Sequence, residues 1–102
     1  MSARISALTI PKLGLTMKEG TVAAWHVEVD GPVIVGRPVF DVETEKVTHE
    51  CAAETVGILR RQVAVKGTTL PVGALVAVIA ASDVSDADVE RFIAEFKPEL
   101  QV

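Results

Sequence analysis

The chain has 102 residues, 49% of them apolar, with a net charge of −4 and scattered basic side chains. That size allows one domain with a modest core, and that charge excludes a basic face for nucleic acid or an anionic membrane. Only 4% of the residues are aromatic and none is tyrosine, so the core must come from Val, Ile, Leu and Ala. β-Branched side chains fit a pleated surface, so this bias favours strands.

Short strand-like runs follow one another, divided by Gly and Pro. Ala7 to Ile10 ends at Pro11, and Lys12 to Gly20 reads as a loop. Val22 to Val29 runs to the turn Asp30-Gly31-Pro32, and the short Val33 to Val35 stops at Gly36. Val39 to Val42 alternates inward and outward, an acidic stretch follows, and Val47 to Ala52 comes next. Ile58 to Val65 alternates up to Lys66-Gly67. Leu75 to Ile79 is nearly all apolar, which places it under cover on both faces or at a seam. The runs are too closely spaced for crossover helices, so the fold is an antiparallel, all-β small barrel or sandwich.

After Asp83 the period changes. Ser85-Asp86-Ala87-Asp88 resembles a capping box with Asp in place of Glu. Val89, Phe92, Ile93 and Phe96 then follow at helical spacing until Pro98. This short amphipathic helix has two open roles: packing on its own barrel, or connecting to a further domain or partner. The expected division is a barrel over residues 1–82 and a helical extension or linker over residues 83–102.

A weak internal repeat crosses the chain. Gly20-Thr21-Val22 resembles Gly57-Ile58-Leu59, and Val27, Val29, Asp30 and Gly31 match Val63, Val65, Lys66 and Gly67. Gly36-Arg37-Pro38-Val39 matches Gly73-Ala74-Leu75-Val76. Two similar β units imply approximate two-fold symmetry, with glycines kept where turns need positive φ. The first unit ends in the acidic stretch, and its counterpart in the second is the exit near Ser82-Asp83, at the opposite end.

The single cysteine, Cys51, excludes an internal disulfide and reads as a small buried hydrophobe. No apolar run is long enough to span a bilayer, and no signal-peptide core precedes Ile5, so the expected compartment is the cytoplasm. There is no Gly-x-Ser-x-Gly elbow, no clustered set of metal ligands and no phosphate-binding glycine loop. His49 reads as a strand-surface residue.

The acidic stretch holds the most informative residue. Asp41, Glu43 and Glu45 lead up to Lys46, the only lysine between Lys18 and Lys66. A lone lysine at a hairpin tip is a handle for a covalently attached group, although Thr44-Glu45-Lys46-Val47 lacks the Asn-Gly or Asp-Gly signature of a tight hairpin. Moving it by one position would aim it at the other face. Residues Ile10 to Gly20, with the sequence IPKLGLTMKEG, together with Asp41 to Val47, DVETEKV, resemble the lipoyl domain of the acyltransferase component of 2-oxo-acid dehydrogenase complexes. The resemblance covers about residues 7 to 80.

That resemblance implies a flattened barrel of two four-stranded antiparallel sheets with pseudo-two-fold symmetry, followed here by the short C-terminal helix. It implies lipoic acid in amide linkage on Lys46, where amide formation removes a charge that would have to be desolvated in partner active sites. The implied partners are a thiamine-diphosphate-dependent dehydrogenase, an acyltransferase catalytic domain, dihydrolipoamide dehydrogenase and a lipoyl ligase. Glu43, Thr44, Glu45 and Val47 are expected to serve recognition, as are Leu13, Gly14 and Leu15 if they lie beside the lysine turn. The chain itself is then a carrier and not an enzyme. The biotinyl domain shares the fold, but its lysine is typically flanked by methionines, and Glu45 and Val47 favour lipoate. An unmodified interaction module using the C-terminal helix is the other alternative. The direct step from barrel to helix is similar to acetoin-dehydrogenase-type acyltransferase components. His26-Val27-Glu28-Val29-Asp30-Gly31 matches the His-x-x-x-Asp-Gly signature of the acyltransferase catalytic domain, but it sits in a strand and its turn, so the match reads as accidental.

Overall fold

Eight strands and one helix form in the order β1 (Ile5–Thr9), β2 (Glu19–Trp25), β3 (Pro32–Val33), β4 (Pro38–Glu43), β5 (Thr48–Ala52), β6 (Gly57–Gln62), β7 (Thr69–Pro71), β8 (Leu75–Ala80) and α1 (Asp86–Glu95). The computed structural model describes residues 5–14, 17–45 and 47–96; Leu15, Thr16, Lys46 and Pro98 lie outside the described residues. The strands build two four-stranded antiparallel sheets, ordered β1-β8-β6-β3 and β5-β4-β2-β7. Exchanging β1 to β4 with β5 to β8 converts one order into the other. The expected pseudo-two-fold barrel is therefore present in the connectivity itself.

The symmetry extends to single residues at a spacing of 37. The β2–β4 ladder is interrupted between Val22 and Ala24, and the β6–β8 ladder between Leu59 and Arg61, 37 residues later. The φ angles are +74° at Asp30 and +94° at Gly67, and +87° at Gly36 and +90° at Gly73. The Asp30 N–H donates to Leu59 O at 2.7 Å, mirrored by Gly67 N–H to Val22 O at 2.7 Å. The structure thus corrects the repeat: Asp30 is the counterpart of Gly67 and not of Lys66. Glycine identity had drawn Gly31 onto Gly67, but the backbone asks for a left-handed residue, and aspartate tolerates that conformation.

Strands β2 and β6 end earlier than their alternation. Past Trp25 and Gln62 the pattern continues, but only His26 N–H to Val39 O and Val63 and Ala64 N–H to Val76 O still reach the old partner strands. By Asp30 and Gly67 the backbone bonds go to the other sheet, at Leu59 O and Val22 O. Strand β7 has no apolar run of its own; Thr69, Leu70 and Pro71 pair with Thr21, Gly20 and Glu19. The repeat marks its place, since β3 lies 37 residues earlier.

Between the sheets, Ile10, Val22, Val33, Val39, Phe40, Val42, Leu59, Val76 and Ile79 are fully buried. The other face of β8 carries Val78 and Ala80, which pack with Val84 and Val89. Burial of β8 on both faces follows, as its composition indicates. Helix α1 therefore turns its apolar side, including half-buried Phe92 and Ile93, onto its own barrel. Ser85 caps it by accepting from Asp88 N–H at 3.1 Å. A buried arginine fixes the same junction. Arg60 occupies the interruption in β6 where β2 has Ala23, and such bulges re-aim a side chain. Its guanidinium donates to Ala81 O at 2.8 Å and to Asp86 Oδ1 at 2.9 Å.

Candidate functional site

Strands β4 and β5 pair up to Glu43 and Thr48, and the ladder closes one step further on. The Thr44 N–H donates to Val47 O at 2.8 Å, and the Thr44 hydroxyl lies 3.2 Å from Val47 O and 3.3 Å from Val47 N. Only Glu45 and position 46 connect these two residues. A threonine side chain thus supplies the closure that Asn-Gly provides in other tight hairpins. Val47 is exposed beside the connection.

The two halves differ most in the segment facing this hairpin. Ile10 and Ala53 occupy matching places, because Gly73 N–H donates to Ile10 O as Gly36 N–H does to Ala53 O. Nine residues (11–19) then separate Ile10 from Gly20, whereas three (54–56) separate Ala53 from Gly57. The longer loop is anchored at its far end by Val72 N–H donating to Lys18 O at 3.0 Å. Within it, Met17 N–H donates to Gly14 O at 3.2 Å, and Leu13 N–H to Met17 Sδ at 3.2 Å. Met17 packs half-buried against the core. Beneath it, Gly20 leaves no room for a side chain: a Cβ would lie 2.5 Å from Val42 Cγ2 and 3.2 Å from Met17 Cε.

Loop and hairpin share one surface groove. It brings together Leu13 and Gly14 from the loop with Glu43, Thr44, Glu45 and Val47 from the hairpin. These are the expected recognition residues that fall among the described ones; Lys46 and Leu15 do not. Met17 and His49 also line it, and the sequence marks neither as a recognition residue. His49 pairs with Val42 on edge strand β5, which tips it toward the groove. Met17 could have been found as the one apolar residue between Thr16 and the charged Lys18-Glu19. The lining carries Glu19, Glu43 and Glu45 against Lys18, so its described charge is acidic.

The His-x-x-x-Asp-Gly match does not assemble a catalytic pair. His26 Nε2 lies 2.8 Å from Asp41 Oδ1, while Asp30 is exposed in a turn where its N–H is tied to Leu59 O. Cys51 offers no activated thiol either. Burial, and then the negative charge of Asp41, push its pKa above the ordinary thiol value.

Two interleaved four-stranded sheets with one tight hairpin beside a long loop define a small pseudo-symmetric β-barrel domain. Residues 6–79 match the family described as "Biotin-requiring enzyme", and the chain belongs to this biotin and lipoyl attachment family. It is 44% identical over 97 residues to the dihydrolipoyllysine-residue acetyltransferase component of the acetoin cleaving system of Cupriavidus necator, covering 95% of this chain and 26% of that protein. The Pseudomonas putida component of the same description is 46% identical over 101 residues, with 95% and 27% covered. The chain thus spans about a quarter of the length of these relatives. Among solved structures, the lipoyl domain of the 2-oxoglutarate dehydrogenase complex from Azotobacter vinelandii aligns with a TM-score of 0.59 at 30% identity, covering 72% of this chain and 96% of that one.

Proposed function

We propose that this chain is a swinging-arm carrier in which Lys46 bears lipoic acid in amide linkage, within a dihydrolipoyllysine acyltransferase component of an acetoin-cleaving type. The observation that carries the reading is the closed Thr44–Val47 connection, with only Glu45 and Lys46 between its two ends in the sequence. The site fits the group. The groove beside the hairpin combines exposed apolar Leu13 and Val47 with acidic Glu43 and Glu45, side chains suited to protein recognition. Family membership allows either biotin or lipoate; Glu45 and Val47 as flanks, together with the lipoyl names of the relatives, favour lipoate.

When attached, lipoate supplies a dithiolane for acyl and electron transfer. The chain's own residues hold and present it. Thr44 fixes the turn, Met17 pins the loop, and Leu13, Gly14, Glu43, Thr44, Glu45 and Val47 form the surface read by the ligase and the thiamine-diphosphate-dependent dehydrogenase. An acyltransferase catalytic domain and dihydrolipoamide dehydrogenase complete the set of partners, in the cytoplasm, and the carrier has no catalytic site of its own. Among the described residues no helix is long and apolar enough to cross a membrane. Residues 1–82 form the carrier and residues 83–102 the connection out of it, with α1 docked back on the barrel.

Intact mass tests the proposal. Co-expression with a lipoyl ligase and lipoate adds one lipoyl group to the wild type and none to Lys46→Arg. An unmodified wild type, or a modified Lys46→Arg, defeats it, and biotin in place of lipoate supports the family's other cofactor.

A further inference from the structure

On the outer face of the β5-β4-β2 sheet, three strands bring together residues that the sequence separates. Phe40 and Val42 point into the core, so Asp41 between them points outward. Glu50 is its direct cross-strand partner. His26, just past β2, has its N–H tied to Val39 O, and its Nε2 reaches Asp41 Oδ1 at 2.8 Å. One ligand atom from each of His26, Asp41 and Glu50 lies within 4.8 Å of the other two. The register sets two carboxylates directly against each other, which costs stability unless positive charge lies between them.

We propose that His26, Asp41 and Glu50 form a surface site for a divalent transition cation, with Zn2+ as the best chemical match. One imidazole nitrogen and two carboxylate oxygens suit zinc, and three protein ligands leave its remaining position to water. Calcium and magnesium take all-oxygen shells and fit this set poorly. Ligands about 2.1 Å from a zinc ion sit roughly 3.0–3.5 Å apart. The hydrogen-bonded His26–Asp41 pair therefore opens slightly as metal replaces the shared proton. The exposed Glu50 side chain closes the remaining gap by rotation. A bound cation ties β4 to β5, the two strands that run into the Thr44–Val47 turn.

The test uses the unlipoylated Lys46→Arg protein, so that no arm dithiol competes for metal. After chelator treatment, Zn2+ is titrated calorimetrically and Co2+ by its visible absorption. One saturable site per chain is expected, weakened about tenfold or more by His26→Ala and by Glu50→Gln. Trace Mn2+ should broaden backbone amide signals around residues 26, 41 and 50. No saturable binding into the millimolar range, equal affinity in both variants and parent, or broadening centred on His49 and Cys51 each overturns the site. Amide spectra of the two variants report their folding; if His26→Ala is perturbed, Glu50→Gln decides.

Discussion

One chemical change, glycine to alanine, should have opposite effects at two positions six residues apart, Gly14 in the groove loop and Gly20 at the start of β2. At Gly14 an added Cβ meets nothing within 4 Å, and the backbone does not need positive φ. The substitution only restricts the unfolded chain, so Gly14→Ala should stabilise by about 0.4–1 kcal/mol. At Gly20 the same atom would lie 2.5 Å from Val42 Cγ2, 3.2 Å from Met17 Cε and 3.4 Å from Ile10 Cγ2. Val42 and Ile10 are fully buried and cannot swing away. Overpacking of this kind costs about 1–3 kcal/mol, which the unfolded-state gain offsets only in part, leaving a net loss of about 0.5–2 kcal/mol. For a domain of this size that lowers Tm by roughly 2–16 °C. Urea and thermal denaturation of the two variants beside the wild type measure both signs. A Gly20→Ala protein as stable as wild type would refute the packing beneath Met17, and a destabilised Gly14→Ala would refute the open loop.

Val89→Ala should cost about 1.5–3 kcal/mol, from two lost carbons and the cavity they leave between α1 and β8; a melting curve equal to wild type would mean that the helix does not dock. Arg60→Met should cost about 1–3 kcal/mol, because it abandons the half-buried Ala81 carbonyl. Asp86→Asn should cost less than about 1 kcal/mol, since the Asp86 side chain is 76% exposed and its ion pair is screened. Cys51 should react slowly with iodoacetamide at neutral pH, and faster in Asp41→Asn, because burial and then the Asp41 charge hold the thiol in its neutral form. The linkage runs in one direction. The folded-state pKa is raised, so the unfolded chain ionises first, and this group's contribution to stability is intact below the ordinary thiol range and lost as pH rises through it. Alkylation of the native protein as fast as that of the unfolded chain would contradict this burial.

The features written in local sequence were legible: the β-branched runs, the capped helix and the glycine repeat. What escaped was set by partners distant in the chain. Thr69-Leu70-Pro71 contains a proline and one apolar residue, and becomes a strand only because β2 offers it an edge. The alternation of Val27 and Val29 continues smoothly past the end of β2, although Val29 is 45% exposed, so the apolar pattern there marks neither burial nor hydrogen-bond partner. The missing Asn-Gly made the hairpin look weak, because a threonine hydroxyl bonding back to Val47 is not a glycine signal. Arg60 is one of two adjacent arginines in a strand-like run, and only the interrupted ladder turns it inward. His26, Asp41 and Glu50 come from three separate segments, so no motif could join them.

The interleaving of the two halves has a consequence for synthesis. Within the first half, β2 and β4 pair with each other, but β1 and β3 do not; they wait for β8 and β6. Ile5 finds Ala80 across a separation of 75 residues. Nearly the whole barrel must leave the ribosome before its first strand has a neighbour, and such long loop closures are slow. The β4–β5 hairpin, by contrast, can form locally and early. A modifying enzyme that recognised the hairpin alone could act on a nascent chain, whereas one that also reads the Leu13 loop must wait for a finished domain.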